Sequence, residues 1–448
     1  QKINFRMIIS VQRLAVRAIS KKLIGKGINS LARSAGALIL LTFLLDSSGI
    51  VLFGAGPTGS VTITGKAEVG QTLTASNNLA DADGLGTITY QWYRDDQPIV
   101  VGGTLKDGVD GGDGLNAPQT LAISADQKFL YVAGGDDDSI SWFSRNSQSG
   151  AITFGGSLSN SLGGLQSLDG ANGITFSADG NQIYVSADAG YVALLDRNST
   201  TGILTFNQGL QDGVAGVDGL AGARRLVLSP DGLYAYVTAR IENSISWFSR
   251  DQSTGSLSYT GLLNKDGDNL SGLNRAIGLT MSKDGNHVYV TGSQDDSVSW
   301  FDRNASTGAL VHGGTFQGGE TNGARNVVIS DDQAYVYVTG YADDSISWFD
   351  RNETSGALTL LGSLKDGVNG VDGLDGSMGI FISTNQVHLY VASFQDDSIS
   401  WFDRNKTTGG LTYGGTLKQG DNGVDGLDGA QYVVLSADGR FAYVTAED

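Results

Sequence analysis

Residues 379–420 read GIFISTNQVHLYVASFQDDSISWFDRNKTTGGLTYGGTLKQG. Within this stretch, four short runs rich in Ile, Val, Tyr, Trp and Thr are separated by Gly, Asn and Asp. β-Branched and aromatic residues favour strands, whereas the separating residues favour tight turns. The stretch therefore predicts four consecutive strands, which we call A to D.

The same unit recurs along most of the chain. Its Tyr-Val dipeptide lies in strand B and begins at Tyr131, Tyr184, Tyr236, Tyr289, Tyr337, Tyr390 and Tyr443, at intervals of 53, 52, 53, 48, 53 and 53 residues. A fixed period of this size with four strands per repeat is typical of propeller blades. The sequence therefore predicts an all-β fold, a seven-bladed β-propeller of four-stranded antiparallel blades, over residues 101–448.

The last repeat stops after strand B, so its two outer strands must come from elsewhere in a closed ring. Residues 90–106 read YQWYRDDQPIVVGGTLK and are similar to the C and D strands of later repeats. We expect this segment to close the ring, because closure removes free sheet edges. Residues 90–100 have a competing interpretation as part of the segment that precedes the propeller.

Residues 1–55 differ in charge from the rest of the chain. They contain eight Lys or Arg and one acid, Asp46, and the uncharged run AGALILLTFLL occupies residues 35–45. Eleven apolar residues are too few to span a bilayer but suit a signal peptide behind a basic region. We predict a helical, basic leader and membrane contact only through it; the segment is a signal peptide, an amphipathic helix or upstream sequence that is not naturally translated.

Residues 56–100 alternate strand-like runs with Gly/Asp turns and predict a short N-terminal β segment. They resemble the first half of the Ig-like repeats of bacterial surface adhesins in GQTLTA (residues 70–75), DADGLG (residues 81–86) and YQW (residues 90–92). The resemblance implies an exported, modular protein in a bacterium. We therefore expect an extracellular or cell-surface location, with the periplasm as an alternative.

The propeller repeats resemble the YVTN-type propellers and the wider seven-bladed lactonase family, which includes proteins like 6-phosphogluconolactonase. The resemblance rests on the Tyr-Val-Thr and Tyr-Val-Ala sequences, on SxDG turns such as residues 229–232, and on NxxTG turns such as residues 304–308. These motifs specify a blade and imply a lactone hydrolase as one candidate activity. No catalytic residue of the lactonases can be matched to this chain.

Composition limits the classes of function. The net charge is −18 and the leader contributes about +7, so the rest of the chain carries about −25. Such an acidic body argues against nucleic acid as a partner, because phosphate binding needs a basic surface. The chain has no cysteine, which excludes a disulfide framework, thiol catalysis and Cys-ligated zinc.

Blade geometry predicts one strongly acidic face. The B–C turns and the crossings from strand D to the next strand A share this face, and both are rich in aspartate. Clustered carboxylates on Gly-rich turns can bind calcium, although Asp and Gly also simply build turns. The candidate calcium ligands are Asp366, Asp372, Asp375, Asp421, Asp425 and Asp428. The arginines after strand C, such as Arg303, are expected on the opposite face.

The start of each strand A should line the mouth of the central channel on the acidic face. The corresponding positions hold the polar residues Gln119, Asn172, Arg224, Arg325 and Gln431, together with Ile277 and Met378. Two arginines at such a mouth could bind a carboxylate or a phosphate. A wet channel that merely tolerates polar side chains is the structural alternative.

Two functions remain open from the sequence. The first is an exported binding or adhesion module whose partner is a protein or carbohydrate surface or a small anion. The alternative is a lactone hydrolase at the channel mouth, in which Arg224 or Arg325 works with an aspartate. No nucleophile or metalloprotease motif is present, and His287 and His388 occupy equivalent positions two repeats apart, which favours a place on strand surfaces.

Overall fold

The computed structural model describes residues 102–109, 113–160, 166–268, 270–318, 321–421 and 424–447, and the backbone of four earlier strands. The chain divides into two compact units, residues 1–100 and 101–448. In the first unit, β1 (Phe5–Val11) pairs with β4 (Ile88–Arg94), and β2 (Val61–Thr64) pairs with β3 (Thr74–Asn77), both antiparallel. No helix among the described residues is long and apolar enough to cross a bilayer.

The second unit is a ring of antiparallel sheets, which we call blades 1 to 7 in chain order. Strand A of each blade lies innermost, and the seven A strands contact one another in a closed cycle. These strands are β5 (Pro118–Ile123), β9 (Ala171–Phe176), β13 (Ala223–Leu228), β17 (Ala276–Met281), β21 (Ala324–Ile329), β25 (Ser377–Ile382) and β29 (Ala430–Leu435).

Strand B pairs with strand A in every blade, and in blades 1 to 6 it is almost entirely buried. The B strands are β6 (Phe129–Gly134), β10 (Gln182–Ala187), β14 (Tyr234–Ala239), β18 (His287–Gly292), β22 (Tyr335–Gly340), β26 (His388–Ser393) and β30 (Ala442–Ala446). Their Val, Tyr and Ala side chains pack between neighbouring blades, so the hydrophobic core runs around the ring. Such burial on both faces explains why these strands read as continuous apolar runs.

Strands C and D complete the first six blades. The C strands are β7 (Ser139–Arg145), β11 (Tyr191–Arg197), β15 (Ser244–Arg250), β19 (Ser297–Arg303), β23 (Ser345–Arg351) and β27 (Ser398–Arg404). The D strands are β8 (Ile152–Ser159), β12 (Leu204–Gln211), β16 (Leu257–Asn264), β20 (Leu310–Gln317), β24 (Leu358–Lys365) and β28 (Leu411–Lys418).

The prediction of seven four-stranded blades with a helical leader is wrong. The described residues form six four-stranded sheets and a seventh sheet of two strands, β29 and β30. The strand that was expected to add to the seventh sheet, β4, pairs instead with β1, so that Trp92 lies opposite Met7. β1 itself has the sequence FRMIISV, whose β-branched residues suit a strand. The rest of the predicted leader, including residues 35–45, lies outside the described residues.

Residues 102–106 nevertheless lie against blade 7. Thr104 Oγ1 donates a hydrogen bond to the carbonyl oxygen of Asp425 at 2.6 Å, as Thr416 Oγ1 donates to that of Asp372 in blade 6. Lys106 Nζ lies 3.4 Å from Asp425, as Lys418 Nζ lies 2.9 Å from Asp372. The segment therefore makes the contacts that an outer strand makes in blade 6.

Candidate functional site

The axial mouth is a cavity where the A strands begin. The second residue of every A strand lines it: Gln119, Asn172, Arg224, Ile277, Arg325, Met378 and Gln431. Arg225 and Asn326, each the next residue in its strand, line it as well, and the cavity has an empty volume of about 410 Å³ that includes open solvent. The structure thus brings all five predicted ligand-binding residues together, while ligand binding itself stays a prediction.

A local break in the ladder turns these side chains towards the axis. In blade 3, Ala223 pairs with Ala239 and Leu226 pairs with Val237, so three residue steps on β13 match two on β14. The extra residue is a β-bulge, which re-aims side chains. The same shift occurs at the starts of β17, β21 and β25.

Asp188 holds two arginines at one side of the mouth. Its carboxylate accepts hydrogen bonds from Arg240 Nε at 2.8 Å and Arg240 Nη2 at 2.6 Å, and Arg224 Nη2 lies 3.4 Å away. Burial raises the pKa of Asp188, but the hydrogen bond from Arg240 and the charges of Arg224, Arg240 and Arg275 outweigh burial and keep it below its usual value. Asp188 is therefore an ionised group that orients Arg224 and Arg240.

Arg224 itself is poorly solvated. Burial lowers its pKa to about 10. The charge of Asp188 opposes this shift, whereas the positive charges of Arg240, Arg225 and Arg325 increase it. Its Nε atom is buried and has no hydrogen-bond partner among the described residues. The amide of Asn172, in the orientation that satisfies its neighbours, accepts a hydrogen bond from Arg224 Nη1 at 2.5 Å. Arg224 thus retains a donor without an acceptor.

Two further arginines extend the positive charge around the mouth. Arg325 lies over the ring of Tyr341 at 4.6 Å, and its pKa is lowered by burial and by the charge of Arg275. Arg275 Nε is also buried without a partner among the described residues. Arg224, Arg225, Arg240, Arg275 and Arg325 are accompanied by one ion-paired carboxylate within the described residues. The centre of an acidic face is therefore cationic.

Arg275 has an unusual backbone conformation. It precedes strand A of blade 4 with a φ of 55°, in the left-handed region. The equivalent residue is glycine in five other blades and Ala117 in blade 1. A non-glycine residue there costs roughly 1 kcal/mol or more, and such strain often occurs at functional sites. The strained backbone is a second, independent sign that the mouth is functional.

Sequence reasoning missed several residues of this site. Asp188, Arg240 and Tyr341 each follow the B strand of their blade, at one repeat position that elsewhere holds Gly135, Ser293, Phe394 and Glu447. This position varies widely, whereas neighbouring positions repeat closely. Departure from the repeat was thus a usable signal for these residues, and for Arg275 among its glycines.

The acidic face forms around the mouth, further from the axis. Asp113, Asp218 and Asp372 lie in crossings whose carbonyl oxygens accept hydrogen bonds from Ser141, Ser246 and Ser400 of the C strands. We call the carboxylates of these crossings and of the B–C turns the acidic rim. Many of them cap backbone N–H groups: Asp366 accepts from Leu374 at 3.0 Å, and Asp397 accepts from Gly429 at 2.8 Å. These aspartates build turns.

The candidate calcium ligands divide between two crossings. Asp366, Asp372 and Asp375 precede blade 6, whereas Asp421, Asp425 and Asp428 precede blade 7. Carboxylate oxygens of Asp366, Asp372 and Asp396 lie within 4.8 Å of one another.

An ammonium group already neutralises part of that cluster. Lys418 Nζ donates to Asp372 at 2.9 Å and to Asp396 at 2.7 Å, while Lys106 lies beside Asp425. The cluster before blade 6 therefore fits calcium poorly, because a cationic side chain stands where the ion would bind. Calcium binding stays a prediction without support from this geometry.

The arginines after strand C form a regular latch between blades. In each of the six, Nε donates to the Tyr-Val tyrosine of the preceding blade at 2.5–2.8 Å: Arg145, Arg197, Arg250, Arg303, Arg351 and Arg404. Each tyrosine hydroxyl in turn donates to a glycine carbonyl in the C–D turn, at 2.7–2.8 Å. These arginines are structural and not available to a ligand.

The histidines do not form a catalytic pair. His287 and His388 lie in strand B and are buried, so their expected place on strand surfaces is wrong. His287 Nδ1 lies 2.9 Å from Arg351 Nη2, as Gln182 Oε1 lies 2.7 Å from Arg250 Nη2. Burial and the Arg351 charge lower the pKa of His287, which favours the neutral ring. It is a latch residue.

The sequence and the fold are similar to those of known proteins. The family Lactonase, 7-bladed beta-propeller, matches residues 164–321 and 211–372. No curated protein sequence matches the chain. Among solved structures, the periplasmic gluconolactonase PpgL of Pseudomonas aeruginosa has a TM-score of 0.58 and 19% identity, over 74% of this chain and 92% of that one.

Two other solved structures are similar to a comparable degree. A putative 6-phosphogluconolactonase from Bacteroides fragilis has a TM-score of 0.54 and 20% identity, over 66% of this chain and 83% of its own. Hydrazine synthase of Kuenenia stuttgartiensis has a TM-score of 0.56 and 16% identity, over 77% and 96%. Such different enzymes share the fold alone at this identity. In sequence over residues 164–372 and in blade architecture, the chain is similar to the seven-bladed lactonase propellers.

Proposed function

We propose that the axial mouth binds an anionic or polyhydroxylated lactone and hydrolyses it. The observation that carries this proposal is the cluster of arginines in a cavity that no carboxylate side chain of the described residues lines. Arg224 and Arg325 are half-buried, their pKa values are lowered, and their charge is only partly balanced by Asp188. A buried cation without a partner is costly, so a bound anion would stabilise the site.

The chemistry follows from where charge develops during ring opening. Water adds to the lactone carbonyl, the carbonyl oxygen becomes an oxyanion, and the ring C–O bond then breaks to give a hydroxy acid. Guanidinium donors aimed at that oxygen stabilise the transition state, and removal of one such donor typically costs about 100- to 1000-fold in rate. Arg224 Nε and Arg275 Nε are donors that the described residues leave without acceptors.

The proton of the attacking water passes to solvent. Asp188 is ionised and lies behind Arg224, and its primary contribution is to orient that side chain. The carboxylate product would then be held by the same arginines until it dissociates. The acidic rim favours a small ligand over a polyanion such as nucleic acid, because only a compact anion can reach the centre without repulsion.

Lactonase-type blades and the names of similar proteins support this substrate class. The solved relatives are described as a gluconolactonase and a putative 6-phosphogluconolactonase. An exported adhesion module remains a prediction from residues 56–100, most of which lie outside the described residues. Simple binding of an anion without hydrolysis is the second candidate, favoured by the lack of a His, Asp or Glu among the residues that line the cavity.

The test is a lactonase assay with matched variants. Gluconolactone and 6-phosphogluconolactone are each incubated with the purified chain, the rate of hydrolysis is measured, and the rate of spontaneous hydrolysis is subtracted. We expect Arg224→Met and Arg325→Met each to lose about 100-fold in kcat/KM. Arg440→Met is the control, because the Arg440 side chain is 58% exposed in blade 7 and lines neither cavity.

Two outcomes would overturn the proposal. The first is that the chain does not hydrolyse either lactone faster than the spontaneous reaction. The second is acceleration that survives both mouth substitutions, which would move the chemistry elsewhere. Calorimetric binding of gluconate without hydrolysis of its lactone would instead support the simple binding function.

A further inference from the structure

A narrow ring of residues separates the axial mouth from a second cavity along the channel. The ring is the third residue of each strand A: Thr120, Gly173, Arg225, Gly278, Asn326, Gly379 and Tyr432. The second cavity, lined in part by Thr120, Arg225, Asn326 and Tyr432, has an empty volume of about 580 Å³ that includes open solvent. Arg225 and Asn326 line both cavities, so they stand at the boundary.

The glycines of this ring make room for their larger neighbours. A Cβ at Gly173 would lie 2.5 Å from the carbonyl oxygen of Arg224, and one at Gly379 would lie 2.7 Å from Tyr432 Cα. Strand A of the next blade therefore approaches closely at each glycine. That neighbouring strand supplies Arg225, Asn326 or Tyr432 to the boundary, and these side chains define its chemistry.

Arg225 brings an uncompensated charge to the boundary. Its Nη1 donates a hydrogen bond to Thr120 Oγ1, and its guanidinium lies 4.8 Å from the centre of the Tyr432 ring. No carboxylate within the described residues pairs with it, and neither cavity is lined by an acidic side chain. Burial lowers its pKa. A hydroxyl group and a ring face stabilise a guanidinium only in part.

Asn326 presents a donor to the same place. Its side chain is 6% exposed, and its Oδ1 accepts a hydrogen bond from the N–H of Val327 at 2.9 Å. That bond fixes the orientation of the amide, so Nδ2 is the outward atom. Nδ2 is buried and has no hydrogen-bond partner among the described residues. An unsatisfied buried amide donor costs about 1–3 kcal/mol unless a ligand or water accepts from it.

We propose that Arg225 and Asn326 bind a small anion in the channel, at the boundary between the two cavities. Asn326 Nδ2 has no acceptor among the described residues, and the Arg225 guanidinium has the Thr120 hydroxyl but no carboxylate, so the missing partner is an anion small enough to fit. A halide ion or the carboxylate of a small organic acid has this chemistry. The site uses residues other than Arg224 and Arg325, so it does not depend on lactone hydrolysis.

A crystallographic experiment locates the ion directly. Crystals of the full chain are soaked in sodium bromide, and anomalous scattering is measured at the bromine edge. We expect a peak within hydrogen-bond distance of Arg225 and Asn326 Nδ2. Added acetate should displace the peak if a carboxylate occupies the site better than a halide. The proposal would be overturned if bromide-soaked crystals showed water and no anomalous peak at that position, and if acetate-soaked crystals showed no density for acetate there.

A thermal experiment tests the same site in solution. Bromide from 0 to about 100 mM should raise the Tm of the wild type by about 2–4 °C more than that of Arg225→Met. The control is Arg440→Met, which removes an exposed arginine that lines neither cavity and should keep the bromide response. Equal responses of wild type and Arg225→Met would contradict the site.

A second variant protects the test against a failure to fold. Asn326→Asp supplies a negative charge beside Arg225 from the chain itself. We expect this variant to fold, to lose the anomalous peak and to lose the extra bromide response. A peak of unchanged height in Asn326→Asp would show that Asn326 takes no part and would sink the proposal.

Discussion

The inter-blade latch and the axial mouth both contain several arginines, yet they are built in opposite ways. In the latch, six arginines repeat at one position, and each donates from Nε to a tyrosine hydroxyl. At the mouth, the arginines come from different repeat positions and share one ion-paired carboxylate, Asp188. Hydrogen bonds to tyrosines, with ion pairs at Arg197, Arg303 and Arg404, join the blades of the ring, whereas the arginines at the centre have no such repeated partner and are the groups that we propose bind an anion.

The difference teaches where function lies in a repeat protein. Positions that serve the contact between neighbouring blades repeat, because every contact has the same geometry. Positions that face the common axis meet residues from all the other blades, so each can be different. Arg240 and Tyr341 break the repeat at such a position, and Arg275 breaks it at the cost of a left-handed backbone.

The largest effect should come from breaking the latch. Arg303 has a side chain that is 2% exposed; its Nη2 lies 2.6 Å from Asp231, and its Nε donates to Tyr236 at 2.8 Å. We expect Arg303→Met to lower the free energy of unfolding by about 3 kcal/mol, since it leaves a carboxylate and a buried hydroxyl without their partner. Urea denaturation measures this loss.

Tyr236→Phe is the conservative counterpart of that change. It removes only the hydroxyl that joins Arg303 to the carbonyl oxygen of Gly308 at 2.8 Å. We expect a loss of about 1–2 kcal/mol. If Arg303→Met and Tyr236→Phe each lost no more stability than the exposed control Arg440→Met, the latch would not be a source of stability.

Substitution of an arginine at the mouth should not lower the free energy of unfolding as substitution in the latch does. Arg325→Met removes a poorly solvated charge that lies near Arg275, so the free energy of unfolding should change by less than about 1 kcal/mol or rise. The same variant should lose anion binding, measured by calorimetry with gluconate. A stability loss equal to that of Arg303→Met would show that the mouth is a structural site as well.

Arg275→Gly sharpens the comparison at one residue. Glycine adopts the left-handed conformation without strain and occupies this place in five other blades. We expect the free energy of unfolding to rise by up to about 1 kcal/mol, while affinity for gluconate falls. Arg275→Ala is the control, because it removes the guanidinium but keeps the strain. Lower stability in Arg275→Gly would refute the strain argument.

The smallest expected effect is a difference in pH response between latch and acidic rim. Although burial raises the pKa of Asp231, hydrogen bonds and Arg303 keep it below its usual value. Its stabilisation is complete above the unfolded pKa of about 4 and is lost as the pH falls through the lower folded pKa. The latch therefore weakens only in acid.

The acidic rim should change the stability with pH in the opposite direction. Burial, Asp212 and Asp218 raise the pKa of Glu242, so the folded state takes up a proton before the unfolded state does. Stability should rise slightly as the pH falls from 7 through that raised pKa. Glu242→Gln should remove this rise, by a few tenths of a kcal/mol, in denaturation curves between pH 7 and 5. An unchanged pH profile in the variant would contradict the assignment.

Much of the fold was predictable from local sequence. The Tyr-Val period and the Gly and Asn turns located the strands of the first six blades, and the bulged starts of strand A contain the predicted mouth residues. The seventh blade was not predictable in the same way. Similarity of residues 90–94 to strand C could not decide between two partners, because strand pairing is a long-range choice.

The site was predictable in part. Arg224 and Arg325 could be predicted, because alignment of the repeats shows which residues lie at the start of each strand A. Asp188, Arg240 and Arg275 were missed, since acidic and turn-forming residues dominate their neighbourhood in the sequence. Lys418 between Asp372 and Asp396 also escaped notice, because it comes from a D strand far along the chain.

The sequence by itself determined the blade, its period and the separation of acidic turns from apolar strands, because these depend on residues that are close along the chain. Only the tertiary structure decided that five arginines from three consecutive blades meet inside an acidic rim. It also decided that Arg225 and Asn326 stand at one level of the channel without a carboxylate beside them among the described residues. Closing the ring brings distant residues together, and Coulomb energies depend on that distance and on burial rather than on composition.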